Sequence, residues 1–305
     1  MKFFHYGLLM QIANFEIWNK IKYIINNFDT NKSIIMININ FDLITIDETN
    51  LIINEYPNAI ITYSPNKGMD IYGFFKQIEY IIENNIIIDN ICKIHTKTDE
   101  EWRSHLIEKL CGTKDIISKN IKLLSNDIGL LCPKKYLINI DHFNNPVIIK
   151  LLKYWNINNI YIDEIDWKLK KKYISDHNKI DWLFYVTYPY NNINYNEKST
   201  YNEGKVINFA FNHWKNYGSK TFRYVPSNDM IIKKNNFNYK FPAGTMFWIK
   251  GYDLKSFFKK YIKFEDFYEY FESGYINNEL PTLTHSFERI FGLIPILRKK
   301  INLPI

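Results

Sequence analysis

From Phe15 to Cys132 the chain alternates between helical spacing of apolar residues and short, continuous apolar runs, and no other feature limits its fold as much. Phe15 to Asn27 carries Ile17, Ile21, Ile24 and Ile25 on a helical spacing, whereas Ser33 to Ile39, SIIMINI, is an unbroken apolar run of strand length. A short helix at Asp47 to Glu55, a strand at Ala59 to Tyr63, a helix at Ile71 to Asn84 and a strand at Asn90 to His95 follow, joined by connections of a few residues. Parallel strands need crossovers of this kind, so the order predicts an α/β fold: a mostly parallel, Rossmann-like sheet with helices on both faces.

Further on, Glu100 to Cys111 and Lys114 to Leu124 read as two helices divided at Gly112-Thr113, and Ile128 to Cys132 reads as a strand. From about Asp163 to Lys240 the pattern loosens, with Asn, Tyr and Lys crowded together, and this stretch reads as an insertion with little regular structure. Regularity returns at Phe241 to Lys250, FPAGTMFWIK, followed by helices at Leu254 to Tyr261 and Leu283 to Phe291. Without an internal repeat or a clear linker, residues 1–305 read as one domain carrying a Tyr- and Asn-rich insertion at about 163–240.

Composition narrows the function classes. Apolar residues at 46% and charged residues at 23% exclude a disordered chain. Aromatic residues reach 17%, which either supplies ring surface for stacking on sugars or follows from a composition rich in Ile, Asn and Lys. A net charge of +7 suits a polyphosphate ligand, an anionic membrane surface or nucleic acid. No zinc-finger spacing or RNA-binding aromatic signature accompanies the scattered lysines, so no nucleic-acid partner is expected. Cys92, Cys111 and Cys132 stand singly in apolar stretches and read as free thiols of a reducing compartment. The absence of a signal-peptide pattern at the start, and of any stretch near the ~20 apolar residues of a membrane span, predicts a cytoplasmic protein with at most a peripheral membrane contact.

Ligands of open α/β sheets sit beyond the carboxyl ends of the strands. Three candidates stand there. In Asn66-Lys67-Gly68-Met69-Asp70, Gly68 offers a turn that lets backbone approach a ligand, and Asp70 offers an acceptor for ribose or base; an everyday turn is the competing reading. His95-Thr96-Lys97 closes a buried strand with polar and cationic groups, and Trp102 and Arg103 follow on the next helix.

These residues resemble a known family. Lys93 to Lys97 (KIHTK) with Trp102-Arg103, Pro65 to Asp70 (PNKGMD), Phe241 to Trp248 (FPAGTMFW) and His285 to Arg289 (HSFER) are similar, in order, to motifs of the rhamnan synthesis F family. The resemblance covers most of the chain apart from the insertion, with Met69 where a basic residue is common. It implies a glycosyltransferase of the GT-A fold type. Such an enzyme would carry a deoxyhexose, typically rhamnose, from a nucleotide-sugar donor to an oligosaccharide, polysaccharide or glycolipid acceptor during polysaccharide synthesis.

Such a transfer needs a stabilised diphosphate leaving group, a base for the acceptor hydroxyl, and walls that align both substrates. The sequence has no Asp-x-Asp motif, so Lys97, Arg103 and Arg289 are expected to supply positive charge in place of a metal, with Asn66, Gly68, Asp70, His95 and His285 completing the donor site. Asp99-Glu100-Glu101 leaves open a Mg²⁺ or Mn²⁺ alternative, although acidic residues opening a helix also serve as caps. Glu288 and Glu279 are the candidate bases, with a structural Glu288-Arg289 ion pair as the competing reading. Gly244, Trp248, Tyr188 and Tyr190 are expected at the acceptor, Trp248 by stacking, unless it belongs to a buried strand; His285 competes with a reading as a core histidine. No evident nucleophile is present, which favours inversion by single displacement. The alternative function is a non-catalytic protein of the same fold that binds glycans or nucleotide sugars.

Overall fold

A computed structural model describes residues 2–140, 145–157, 239–276 and 282–305, together with two short strands at Glu164–Ile165 and Ile232–Lys233. The chain divides into two compact units, the first built from residues 1–140, 239–276 and 287–305 and the second from 141–238 and 277–286.

The first unit is an α/β layer structure on a seven-stranded sheet. Its elements begin with β1 (Phe3–Ile12), α1 (Phe15–Ile21), β2 (Ser33–Asn40), α2 (Ile46–Glu55), β3 (Ile60–Ser64), α3 (Met69–Glu83) and β4 (Ile87–His95). α4 (Glu100–Cys111), α5 (Lys114–Leu123) and β5 (Ile128–Cys132) follow. Strand β1 lies inside the sheet, beside its middle strand β4, and the sequence pattern had not announced it. It pairs in parallel with β2 on one side (Leu8↔Ile35) and β4 on the other (Leu8↔Cys92). Moving from β1 to β2 to β3 and then back to β4 makes right-handed crossovers place α1 and α2 on one face and α3 on the other. The point where the order reverses, between β1 and β4, is where an open sheet of this type leaves a crevice.

After a small antiparallel pairing of β6 (Leu137–Asn139) with a strand at Lys240–Pro242, the chain re-enters the main sheet as a strand at Phe247–Lys250. This last strand runs antiparallel between β4 and β5 (Phe247↔Lys93, Trp248↔Leu131), which makes the sheet mostly rather than wholly parallel. A final strand, Ile301–Pro304, pairs in parallel with β5.

Both faces are closed by aromatic packing. On the α3 face, Phe75 is ringed by Phe258, Phe267, Phe271 and Phe287, with centroid separations of 4.9, 6.2, 5.1 and 4.8 Å. Each buried phenylalanine contributes about 1.5–3 kcal/mol. Gln77, also on α3, donates to the carbonyls of Met10 and Met36, each at 3.0 Å, and so pins the helix over β1 and β2 without leaving its amide donors unmatched. On the opposite face, Trp248 stacks on Phe28 at 6.1 Å and donates its indole N–H to Leu110 O at 2.8 Å.

In the second unit, α6 (Asn145–Tyr154) is amphipathic, and Glu164–Ile165 pairs antiparallel with Ile232–Lys233. Most of the expected insertion, residues 163–240, lies outside the described residues. No helix among the described residues is long and apolar enough to cross a membrane.

Candidate active site at the β1–β4 switch point

Alternation along β4 sends Lys93 and His95 to the same side of the sheet, the side covered by α3. Lys93 is 1% exposed, and a buried ammonium is tolerated only when its donors are matched. One donor goes to Asp70 Oδ2 and another to the carbonyl of Thr245 at 2.9 Å. The hydroxyl of Thr245 donates to the same Asp70 Oδ2, and His95 Nδ1 lies 3.2 Å from it. Asp70 sits in the first turn of α3, where the helix dipole favours a carboxylate.

The electrostatics follow from this packing. Burial alone would raise the Asp70 carboxyl, but the charges of Lys93 and His95 and the hydrogen bonds from Lys93 and Thr245 outweigh it and hold it at about 2. Burial lowers the Lys93 ammonium against the pull of Asp70, so the pair stays ionised through direct contact. Burial, reinforced by Lys93 and Lys97 and opposed by Asp70, holds the His95 imidazole at about 3; it is neutral at physiological pH.

A second cluster forms where the turn before Phe247 meets Glu288 and Arg289 on the helix Leu283–Leu297. The Gly244 N–H donates to Glu288 Oε1 at 2.5 Å, and Arg289 Nη1 donates to Glu288 Oε2 at 2.9 Å. Burial raises the Glu288 carboxyl, while Arg289 and the Gly244 N–H pull it down. Gly244 has φ +78 at the third position of a turn closed by Thr245 N to Pro242 O, and the next residue, Thr245, also has positive φ (+52). A β-branched residue in that region is strained, and Thr245 is held there by the two bonds it makes to Asp70 and Lys93.

The exit of β4 is stitched to β1: Thr96 N donates to Gln11 O at 3.1 Å and Ala13 N donates to Thr96 Oγ1 at 2.8 Å. Lys97 follows with its ammonium 3.8 Å from the centroid of Trp102 and no carboxylate partner among the described residues. Arg103 donates to the carbonyls of Lys97 and Thr98, so its guanidinium shapes the loop that presents Lys97. The two anions Asp70 and Glu288 and the four cations Lys93, Lys97, Arg103 and Arg289 carry a net charge of +2 between them.

No model of a known protein family matches the sequence, and no curated protein is significantly similar to it. The chemistry of the site must therefore be read from its own residues.

Several expected roles change. Trp248 cannot stack on an acceptor sugar: it is fully buried, with one face on Phe28 and its N–H bonded to Leu110. Gly68 does not make room for a ligand; a Cβ there would stand 2.7 Å from the Phe271 ring, and its N–H is bonded to Glu272 O at 2.7 Å. The backbone N–H of Asn66 donates to Asp42 Oδ2 at 2.7 Å and fixes the turn that carries its side chain. Gly244 packs its open side on Trp102, where a Cβ would come within 2.9 Å of the ring. His285 is buried in the second unit beside Thr282, with Nδ1 2.8 Å from its hydroxyl. Glu279, Tyr188 and Tyr190 lie outside the described residues. Asp99 caps α4 through Trp102 N, and Glu101 pairs with Lys135 at 3.0 Å; among the described residues no group of three or more His, Cys, Asp or Glu is arranged to hold a metal ion. Lys93 and Thr245 were not singled out from the sequence, although the i, i+2 spacing of Lys93 and His95 in an otherwise apolar strand was the available signal.

Proposed function

We propose that the chain is a glycosyltransferase of the GT-A type that moves a sugar, a deoxyhexose such as rhamnose, from a nucleotide donor onto a glycan acceptor in polysaccharide synthesis, by inversion and without a metal ion. The observation that carries this reading is the pairing, at one end of the sheet, of a buried, doubly held carboxylate with an excess of positive charge. A carboxylate raised by burial is a competent base near neutral pH, and the two bonds from Gly244 and Arg289 fix its orientation. A net charge of +2 matches the two negative charges of a nucleotide sugar's diphosphate, and a cation near the breaking bond offsets the charge that develops as it leaves.

In this reading Glu288 takes the proton from the acceptor hydroxyl as its oxygen bonds to the anomeric carbon. The bond from that carbon to the diphosphate breaks, and the electron pair stays on the phosphate oxygen, where Lys97 stabilises it. Arg289 orients Glu288 and lies 4.6 Å from the Phe241 ring centroid, so its part in catalysis runs through the base. The sheet order β3-β2-β1-β4, with an antiparallel strand set between β4 and β5, supports a nucleotide-binding crevice at the β1–β4 switch point.

The test is a panel of nucleotide sugars, each with EDTA, scored for thermal stabilisation and then for release of nucleoside diphosphate, on wild type and Lys97→Ala. Stabilisation and turnover in EDTA, both weakened in Lys97→Ala, are expected. A requirement for Mn²⁺ would sink the metal-free mechanism. Binding without turnover on any acceptor would instead make the chain a nucleotide-sugar-binding protein.

A further inference from the structure

We propose that Asp70 and His95 together recognise a pair of neighbouring hydroxyls on a sugar ring. The inference rests on reading the crevice as a sugar-nucleotide site, and it names the chemical group held at the crevice's floor.

All of the protein contacts to Asp70 fall on one oxygen: Lys93, Thr245 and His95 gather at Oδ2, and Oδ1 has no partner among the described residues. About a tenth of the Asp70 side chain is exposed, so the carboxylate is anchored by one oxygen and open at the other. The His95 side chain is 9% exposed, yet neither ring nitrogen has an aligned hydrogen-bond partner; Nδ1 is near Asp70 Oδ2 but off the line a hydrogen bond needs. Leaving a buried polar atom unmatched costs about 1–3 kcal/mol, and folded proteins match nearly all of them. An unmatched imidazole beside a half-matched carboxylate is therefore arranged for a partner that is not protein.

The chemistry of the two groups selects that partner. An ionised carboxylate only accepts, so the ligand atom at Asp70 must carry a proton. A neutral imidazole offers one N–H and one lone pair, so the ligand atom at His95 must donate or accept according to tautomer. A phosphate oxygen fails at Asp70 because it has no proton and carries like charge. An ammonium only donates, so it fits Asp70 and just the one tautomer that turns a lone pair to it. A hydroxyl satisfies both groups in either tautomer, and two hydroxyls on adjacent carbons reach two side-chain atoms that are themselves neighbours. A nucleobase edge has fixed donors and acceptors and fits only one tautomer. Lys93 is the positioning residue: it and Thr245 hold Oδ2, and so leave Oδ1 to the ligand.

The diol has two sources, the ribose of the donor nucleotide and the transferred sugar. Wild-type protein labelled with ¹⁵N-histidine would be titrated with methyl β-ribofuranoside, methyl 2-deoxyribofuranoside, methyl α-rhamnopyranoside and free uracil. The His95 ring signals, among those of seven histidines, are identified by their loss in His95→Gln, or in His95→Asn should that variant fail to fold. Thermal stabilisation by nucleotide sugars is measured alongside. The proposal expects the ring nitrogens of His95 to shift with a diol-bearing glycoside. If the responding glycoside is the riboside, the deoxy analogue should bind about tenfold more weakly, the loss of about 1.4 kcal/mol for one hydrogen bond. A response to riboside alone assigns the site to ribose, and a response to rhamnoside alone assigns it to the transferred sugar. Equal response to the riboside and its deoxy analogue without a rhamnoside response, a response to uracil only, or none at all would overturn the proposal. Nucleotide-sugar stabilisation with silent His95 signals removes the diol site and leaves the transferase reading standing; the reverse pattern removes the transferase reading and leaves the diol site.

Discussion

Lys93→Met removes one half of a buried ion pair while nearly conserving side-chain volume, so its consequence should be electrostatic. Lys93 is 1% exposed and the Asp70 side chain 10%, so the remaining carboxylate has little access to solvent. Breaking a buried pair from one side costs about 3–5 kcal/mol, whereas replacing both partners is often close to neutral. The expectation is a loss of about 3–5 kcal/mol for Lys93→Met at pH 7, and recovery of most of it in Lys93→Met/Asp70→Asn. The sign of the pH dependence separates this from a packing defect. In the wild type the folded chain keeps His95 neutral down to about pH 3, while the unfolded chain takes up that proton near 6.5. The unfolded state then binds more protons, so stability falls as the pH is lowered, by about 2 kcal/mol from pH 7 to 5. In Lys93→Met, Asp70 and His95 are relieved by taking up a proton, so the gap to the wild type should narrow over the same interval. Urea unfolding followed by tryptophan fluorescence at pH 7 and 5 measures both quantities. Equal losses in the single and double variants, or a gap that does not change with pH, would refute the reasoning.

Glu288→Gln should lower kcat by about 10²–10⁴ with little change in KM, and should abolish the acid limb of the rate profile, whose midpoint in the wild type lies above 4.5 because burial raises the carboxyl. Trp248→Ala should cost about 3–5 kcal/mol in denaturant unfolding and leave nucleotide-sugar affinity unchanged in the folded fraction, as its ring is core rather than acceptor wall. Gly244→Ala should destabilise by about 1–3 kcal/mol, because φ is +78 and the new methyl meets Trp102; calorimetry checks this, and an unchanged melting temperature would contradict the turn geometry.

Much of the sheet was legible because its crossovers carry clear periods. Glu100–Cys111 and Ile128–Cys132 match their expected bounds, and α3 starts two residues before its expected first residue because Met69 and Asp70 contribute to its first turn. Strand β1 was not legible: Phe3–Ile12 is buried on both faces from Gly7 onward, so it shows no alternation. Phe241 to Lys250 was legible only as a return of regularity: two strands, Lys240–Pro242 and Phe247–Lys250, flank a turn containing Gly244 and Thr245, and a strand's direction in the sheet is not a property of local sequence. At the site, His95 and Asp70 were legible as polar groups at element ends, and Glu288 as a carboxylate of the HSFER motif. Lys93 was hidden by its apolar neighbours, and Thr245 by an unremarkable side chain whose importance lies in its backbone angle.

The antiparallel strand Phe247–Lys250 also sets an order of assembly. A chain emerging from the ribosome can pair β1, β2, β3 and β4 early, but β5 has no neighbour on the β4 side until the strand that separates them has been made. The Lys93 ammonium waits even longer for full satisfaction, since the carbonyl that takes one of its protons is 152 residues further along the chain. Until then a charged side chain occupies the middle of an exposed sheet edge, which discourages that edge from pairing with another chain. The same lysine that later fixes the site thus keeps a charge within the sheet while its edge is still open.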